Sequence, residues 1–195
     1  MEEPKDYIYI QSDLTDALDA HLEFAKANHN SPVFTVTGLT GSGKSKITES
    51  WLKHNKLKYL PISGCWACLE QVEVDCLRAY DFAFKEGVYV MDSEMTKQAL
   101  SSYKKKVPVL LSSAQIDDID ENTVVWIDDY DRASEEVRLA LFDLICNLTV
   151  VDPRVDGNTK LKRVRPLMFV VIIDSWGAQK LSAKERQVFH IDIPQ

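Results

Sequence analysis

The feature that most constrains the fold is the stretch Thr35–Ser45, which reads TVTGLTGSGKS. Its glycines, lysine and serine stand at the spacing G-x-x-x-x-G-K-S, which is typical of a phosphate-binding loop. Glycines let the backbone turn its N–H groups inward around an anion, at a helix N-terminus whose dipole favours negative charge. Such a loop joins a strand to a helix, and the flanking residues agree. Pro32–Val36 predicts a buried strand, and Ile47–Leu52 predicts a helix.

The motif also predicts a role for each residue of the loop. Lys44 is expected to reach the β- and γ-phosphates of a nucleotide, and the Ser45 hydroxyl to bind Mg²⁺. The predicted nucleotide-binding residues are Gly38, Leu39, Thr40, Gly41, Ser42, Gly43, Lys44, Ser45 and Lys46.

Composition limits the other possibilities. The 195 residues, 45% of them hydrophobic, predict a single domain spanning 1–195 with one substantial core. The net charge of −7 provides no overall field that attracts nucleic acid, so any such contact has to come from a short basic segment. No apolar run approaches the ~20 residues of a membrane span, and the N-terminus lacks a signal peptide pattern. Four cysteines are too few for a disulfide framework, so we expect a soluble, cytoplasmic protein.

Strand and helix patterns alternate along the chain. A helix is predicted from a cap at Ser12-Asp13 to about Asn28, and another from Ser134, with its apolar residues at helical spacing. The remaining predictions are strands at Leu57–Ile62, Gly87–Met91, Asn122–Asp129, Leu167–Ile173 and Val188–Ile193, helices at Leu69–Phe84, Ser93–Tyr103 and Lys180–Gln187, and a long loop or hairpin at Asp152–Arg165. Pro61 suggests a strand end or an edge position. This order predicts an α/β fold: a doubly wound, mainly parallel sheet with helices on both faces.

Two acids end the predicted strand Asn122–Asp129. A hydrolytic phosphate-loop site needs one acid to hold the Mg²⁺ water shell and a second group to orient or deprotonate the attacking water. We therefore predict Asp128 as a metal-binding residue, together with Ser45, and Asp129 as the catalytic residue.

The stretch Val124–Leu144, VVWIDDYDRASEEVRLALFDL, resembles the Walker B strand and following helix of AAA+ ATPases, most closely the MoxR-like and McrB-like branch. That branch carries the pattern D-E-[hydrophobic]-[ND]-R-A. Asp128, Asp131, Arg132 and Ala133 match it, whereas Asp129 stands where the family has its catalytic glutamate. The resemblance covers about Leu14–Pro194. It implies the AAA+ core fold of the P-loop NTPases, ATP as the nucleotide, and assembly into a ring or partial ring.

Further expectations follow from this resemblance. The family has a polar sensor residue after the strand that here is Leu167–Ile173, so Asp174 or Ser175 would take that place. Arg186, just before the predicted last strand, resembles the arginine finger that acts on a neighbouring subunit, and Arg154 is a second candidate. The family continues into a small helical lid, whereas this chain ends at Gln195, so a core without that lid is expected.

Two weaker patterns leave alternatives open. Cys65 and Cys68 form a C-x-x-C pair, with His54 and Cys76 nearby, which fits either half of a zinc site or buried structural thiols. Lys104–Lys106 and Lys160–Arg165 are basic clusters, which fit either solvated loops or contacts with a nucleic-acid backbone.

These observations predict a Mg-dependent ATPase that acts as an oligomeric motor or switch and remodels a bound partner. A nucleotide-dependent interaction module with little turnover is the alternative, favoured by the aspartate at position 129. A small-molecule kinase fits less well, because those enzymes usually lack this acidic pair and helix. Self-association, a protein partner, and nucleic acid through the Lys160–Arg165 loop are the expected contacts.

Overall fold

The structure is a computed structural model that describes residues 5–77, 102–155 and 160–191. The strands in these ranges are β1 Val33–Gly38, β2 Lys58–Ser63, β3 Glu70–Leu77, β4 Ser102–Val109, β5 Thr123–Asp128, β6 Thr149–Val151, β7 Leu161–Arg163 and β8 Met168–Asp174. The helices are α1 Lys5–Asn28, α2 Lys44–His54, α3 Ser113–Asp117, α4 Glu135–Asn147 and α5 Ala183–Val188, with 3-10 turns at Tyr130–Arg132 and Gly177–Lys180. None of these described helices is long and apolar enough to cross a membrane.

Four of the strands form one parallel sheet in the order β1-β8-β5-β2. The pairing places Gly38 beside Asp174 and Ser63 beside Asp128. The carboxyl ends of all four strands therefore lie at one edge of the sheet, which is where open parallel sheets bind their ligands. The parallel sheet predicted from the sequence is confirmed. Among the described strands β2 is the last in this order, which agrees with the edge position predicted for Pro61.

Helices cover both faces of this sheet, because successive strand residues point to opposite sides. One hydrophobic cluster joins alternate residues of β5 and β8 to α1 and α2: Leu18, Leu22, Trp51, Leu52, Val124, Trp126, Met168, Val170 and Ile172. A second cluster joins the intervening strand residues to α4 and to the residue after α5: Val125, Ile127, Val137, Leu141, Leu144, Phe169, Val171, Ile173 and Phe189. Full burial of each such side chain stabilises the fold by about 1.5–3 kcal/mol. The predicted covering of both faces is confirmed.

Helix α4 follows directly from its sequence. The Ser134 side chain caps it by accepting a hydrogen bond from the Val137 backbone N–H, and Glu135 and Glu136 occupy the first turn, where the helix dipole favours acids. Its predicted apolar face is buried against the sheet. This helix keeps the residues after β5 in place at the carboxyl edge.

The helix predicted at Leu69–Phe84 is wrong where the structure describes it, since β3 occupies Glu70–Leu77. The reason is a period of two: Val72 and Val74 alternate with acids, and Val74 packs with Val107 and Val109 on the antiparallel partner β4. The helix predicted at Ser93–Tyr103 is wrong at its last two residues, which begin β4. Its other residues, and the strand predicted at Gly87–Met91, lie outside the described ranges.

Two predictions near the chain ends also need correction. Helix α1 begins at Lys5, so Ser12 lies inside it and is not its cap. The sequence contains no glycine or proline between Lys5 and Asn28 that would end the helix earlier. The last predicted strand, Val188–Ile193, is wrong over its described residues, because α5 continues to Val188 and a turn follows.

A capping box explains why a helix, and not the predicted strand, lies before Phe189. The Ser182 hydroxyl accepts from the Glu185 backbone N–H, and the Glu185 carboxylate accepts from the Ser182 N–H, which starts a helix here. The helix ends at Val188, and the ring of the next residue, Phe189, packs edge-on against Tyr130, with ring centres 4.9 Å apart.

For Asp152–Arg165 the hairpin alternative is confirmed. Strands β6 and β7 pair antiparallel, with Val150 opposite Lys162, and the Asp152 N–H donates to the Lys160 carbonyl at 2.7 Å.

Candidate functional site

The glycine loop, Gly38–Ser45, joins β1 to α2 and presents backbone donors. Gly41 and Gly43 have φ values of 80° and 86°, in the left-handed region that glycine adopts without strain. Helix α2 begins at Lys44, and the first N–H groups of an α-helix have no partner within the helix. No side chain of the described residues caps this helix start. Unpaired donors at a helix start bind anions. The local backbone therefore fits a phosphate group.

The Lys44 side chain lies back across this loop. Its Nζ donates to the carbonyl oxygens of Gly38 at 3.0 Å and Leu39 at 2.9 Å, and to Asp174 Oδ1 at 2.8 Å. The Lys44 and Asp174 side chains are 9% and 10% exposed. A nearly buried positive charge is thus held within the glycine loop, where the motif predicts a phosphate-binding amine.

Asp174 ends β8 and accepts hydrogen bonds from three side chains. Besides Lys44, the Thr40 hydroxyl and Arg132 Nη2 each donate to Oδ2 at 2.8 Å. Burial alone would raise the pKa of Asp174, but these hydrogen bonds outweigh it and lower the pKa to about 2. Of the two sensor candidates, Asp174 is therefore the one that contacts Lys44. Ser175 lies beside the loop through its backbone, with its N–H donating to the Gly38 carbonyl at 3.0 Å.

Ser45 and Asp128, the predicted metal-binding pair, lie in contact. The Ser45 hydroxyl donates to Asp128 Oδ1 at 2.8 Å. Burial raises the pKa of Asp128, and the Asp129 charge adds to this, while the hydrogen bond from Ser45 opposes it. The described residues include no group of three or more His, Cys, Asp or Glu side chains able to hold a metal.

Asp129 follows Asp128 with φ at 52°, the left-handed conformation. Its Oδ2 accepts a hydrogen bond from the Cys65 Sγ at 3.3 Å, and its Oδ1 is 3.6 Å from Arg132 Nε. Cys65 is exposed as a residue, but partial desolvation of its thiol raises the pKa, and the hydrogen bond to Asp129 acts in the same direction. The carboxylate thus has a neutral donor on one side and a cation on the other.

Gly64 supports the Asp129 conformation from the neighbouring strand end. Its N–H donates to the Asp128 carbonyl at 2.7 Å, and a Cβ at this position would lie 2.1 Å from the Asp129 carbonyl oxygen. Because that neighbour is backbone, no side-chain movement relieves the contact. Only glycine fits at residue 64.

Asp131, Arg132 and Ala133, which follow Asp129 in the 3-10 turn and just after it, each make a defined contact. Asp131 is 5% exposed, and its Oδ1 accepts from the Asp174 backbone N–H at 3.0 Å, which fixes the end of β8. Arg132 binds the Asp174 carboxylate, as described above. Ala133 is buried and bonds back to the Tyr130 carbonyl, closing the 3-10 turn.

These groups surround a cavity of about 350 Å³. Its walls are formed by Thr40, Gly41, Gly43, Lys44, Ser45, Lys46, Asp129, Arg132, Ile172 and Asp174. Most of the predicted nucleotide-binding residues and the predicted catalytic Asp129 therefore lie together. The other three, Gly38, Leu39 and Ser42, form the end of β1 and the first turn of the loop, where the Ser42 N–H donates to the Leu39 carbonyl.

The two arginine-finger candidates lie outside this cavity. Arg186 is half-buried on α5, and no described carboxylate lies within ion-pair distance of it. Arg154 is held by Asp117 and Asp152, at 2.7 and 2.8 Å. Arg186 therefore keeps a guanidinium free of described ion pairs, whereas Arg154 is fully engaged within the chain.

The basic segment Lys160–Arg165 is partly engaged as well. Lys160 is 6% exposed, and Lys162 Nζ lies 2.9 Å from Asp117. Arg163 and Arg165 are exposed. In the other basic cluster, Lys104 pairs with Glu73 at 2.9 Å.

Cys65 and Cys68 are free and exposed in the turn after β2, so the expectation of buried thiols is wrong for this pair. The turn explains the exposure, because the Trp66 and Ala67 N–H groups both donate to the Ser63 carbonyl and direct the loop away from the core.

Sequence reasoning missed two supports of this site. The contact between Cys65 and Asp129 had no signal, because the two residues are 64 positions apart. Gly64 gave a partial signal, since a glycine directly after a strand often marks close approach of another backbone. Asp174 was recognised as a sensor candidate, but its ion pair with Lys44 follows only from the strand order that places β8 next to β1.

No protein-family model matches the chain, and no curated protein matches it.

Proposed function

We propose that the protein binds Mg-ATP at the glycine loop and hydrolyses it slowly, as an oligomeric motor or switch of the AAA+ type. The observation that carries the proposal is the joint placement of Lys44, Ser45 and Asp129 around one cavity, at the start of an uncapped helix. That combination supplies a cation, a metal-binding hydroxyl and a carboxylate for water in one place. Phosphoryl transfer depends on positioning and on stabilisation of negative charge, to which these three groups would contribute.

Each residue would act according to its chemistry. The leading N–H groups of α2 and the Lys44 amine bind phosphate oxygens, and Ser45 and Asp128 hold Mg²⁺. When bound, Mg²⁺ neutralises phosphate charge and polarises the bond to be broken. Asp129 orients the attacking water and accepts its proton.

An interaction module that binds ATP but scarcely hydrolyses it is the alternative. One contact and one difference in side-chain length favour low turnover. The Asp129 carboxylate is already engaged by the Cys65 thiol, and an aspartate is one methylene shorter than the family's glutamate.

For the partner, we propose a second copy of the chain and a further protein before nucleic acid. Arg186 supports the first, because its guanidinium has no described ion pair and is free to complete a neighbour's site. Lys160 is buried and Lys162 pairs with Asp117, which leaves Arg163 and Arg165 as the exposed cations of the Lys160–Arg165 segment for a phosphate backbone.

Phosphate release from Mg-ATP tests the proposal. We expect slow hydrolysis by the wild type, loss of about 10²–10⁴-fold in Asp129→Asn with binding retained, and a faster rate in Asp129→Glu. Asp143→Asn, an exposed aspartate on α4, is the matched control and should keep the wild-type rate. If Asp129→Asn hydrolyses ATP at the wild-type rate, the base lies elsewhere. Wild-type binding without any turnover would favour the interaction module.

A further inference from the structure

Three donors converge on the Asp174 carboxylate at the centre of the site. Lys44 Nζ, Thr40 Oγ1 and Arg132 Nη2 each lie 2.8 Å from one of its oxygens. A terminal phosphate in this loop would require the same Lys44 amine. The carboxylate therefore holds, within the chain, a cation that an anionic ligand also needs.

Arg132 differs from Lys44 in its freedom to move. It lies on the 3-10 turn directly after Asp129, lines the cavity, and its side chain is 44% exposed. A guanidinium carries five N–H donors in a planar fork that suits phosphate oxygens, and the described carboxylates engage this one at Nη2, which donates to Asp174, and near Nε, which lies 3.6 Å from Asp129. Arg132 can therefore bind a phosphate from the cavity side without leaving the site.

The backbone around Asp174 is fixed, which limits what has to move. The Asp174 N–H is held by the buried Asp131 carboxylate, and its partner in register is Gly38 on β1. Release of Lys44 then needs only a rotation of the Asp174 side chain.

We propose that Asp174 is an internal competitor for the terminal phosphate of a nucleoside triphosphate, and that Arg132 is a phosphate-binding residue in the same chain. On binding, Lys44 and Arg132 exchange the Asp174 carboxylate for oxygens of the γ-phosphate. This inference rests on the proposed function, since it assumes a nucleotide at the glycine loop. It adds a specificity: Arg132 favours triphosphate over diphosphate, and Asp174 weakens triphosphate binding.

The test is the affinity of the full chain, by calorimetry with Mg²⁺, for ADP and for the β,γ-imido analogue of ATP. Asp174→Asn keeps the shape of the side chain and should bind the analogue about tenfold more tightly, with ADP little changed. Arg132→Gln should bind the analogue about tenfold more weakly, again with ADP little changed. Arg154→Gln is the matched control, an equally exposed arginine bound to aspartates away from the cavity, and should leave both affinities unchanged.

An unchanged ratio of the two affinities in Asp174→Asn, or equal weakening of both ligands in Arg132→Gln, overturns the inference. Circular dichroism checks that each variant is folded. If Asp174→Asn fails to fold, the exposed Arg132→Gln variant decides alone. Wild-type protein that binds neither ligand contradicts the proposed function itself, whereas wild-type binding of both with an unmoved ratio contradicts only the exchange.

Discussion

Two groups of charged side chains in this protein are built from the same parts and differ in their surroundings. The edge cluster, at the carboxyl edge of the sheet, contains Lys44, Arg132, Asp129 and Asp174. The surface cluster contains Lys162, Arg154, Asp117 and Asp152, and joins α3 to the hairpin of β6 and β7. Each has one lysine, one arginine and two aspartates.

The charged groups of the surface cluster form hydrogen bonds with one another. Arg154 donates from Nη1 and Nη2 to the two Asp117 oxygens at 2.7 and 2.8 Å, and from Nε to Asp152 at 3.0 Å. Hydrogen bonds from Arg154 and Lys162 lower the pKa of Asp117, whose side chain is half exposed. The exposed pairs with Asp117 contribute little to stability and are screened by salt, whereas Asp152 is buried. These pairs connect α3 to the hairpin of β6 and β7.

The edge cluster shares its space with unpaired backbone donors and a cavity. Its lysine is nearly buried, yet helix α2 presents N–H groups beside it that no described side chain caps. Its charges are therefore balanced within the chain while its donors are not. The surface cluster also borders a cavity, through Asp117 and Lys162, so the difference between the two clusters is the row of open backbone donors at the start of α2.

The two arginine-finger candidates sharpen this comparison most. Arg186→Ala should lower ATP turnover by about 10³-fold or more while ATP still binds, because a trans arginine stabilises transition-state charge. Arg154→Ala should leave turnover unchanged, because its fork is filled by Asp117 and Asp152. Turnover per chain, measured over a series of protein concentrations, checks both.

In the wild type that turnover should rise with concentration as copies associate. A monomer that is equally active at every concentration would exclude a trans arginine.

The next largest expected effect is the difference in Mg-ATP affinity between Lys44→Ala and Lys162→Ala. Lys44→Ala should weaken Mg-ATP binding by about 100-fold, since it removes a charge-assisted bond to phosphate and leaves Asp174 to repel it. Lys162→Ala removes an equally charged residue from the surface cluster and should bind Mg-ATP normally. Calorimetric titration of the two variants measures the difference. Equal affinities in the two variants would remove the functional distinction between the clusters.

Acid stability should separate the clusters least. The lowered pKa of Asp174 stabilises the fold above its ordinary value of 3.8, and this contribution is lost as the pH falls through about 2. Asp117 behaves in the same direction. Between pH 4 and 2, the free energy of unfolding should therefore fall less steeply in Asp174→Asn and in Asp117→Asn than in the wild type.

Salt distinguishes the two variants. At high ionic strength the difference due to the exposed Asp117 should shrink, while that due to the nearly buried Asp174 should persist. Denaturant titrations at each pH, with and without salt, measure these stability differences. If salt reduces both differences equally, the expected contrast between Asp117 and Asp174 is wrong.

Local sequence patterns predicted the parts of the site that depend on neighbouring residues. The glycine loop, the acids after β5 and the helix from Ser134 are each set by residues within a few positions, so motif spacing and helical periodicity locate them. The parallel sheet followed from the alternation of apolar strands with helices.

What the sequence left open depends on contacts between distant residues. The pairing of Asp174 with Lys44 joins positions 130 apart, and the approach of Gly64 to Asp129 joins two strand ends. The error at Leu69–Phe84 has another cause. The mixture of acidic and apolar residues there is compatible with a helix, and only the pairing with β4 makes the strand more favourable. Strand propensity depends on such partners more than helix propensity does.

A crystal structure with Mg²⁺ and the β,γ-imido analogue of ATP tests the central claim most directly. We expect the β- and γ-phosphates within the glycine loop, Mg²⁺ beside Ser45 and Asp128, and Lys44 Nζ on phosphate oxygens instead of on Asp174 Oδ1. The nucleotide bound elsewhere on the protein, with the Lys44–Asp174 pair still at 2.8 Å, would contradict it.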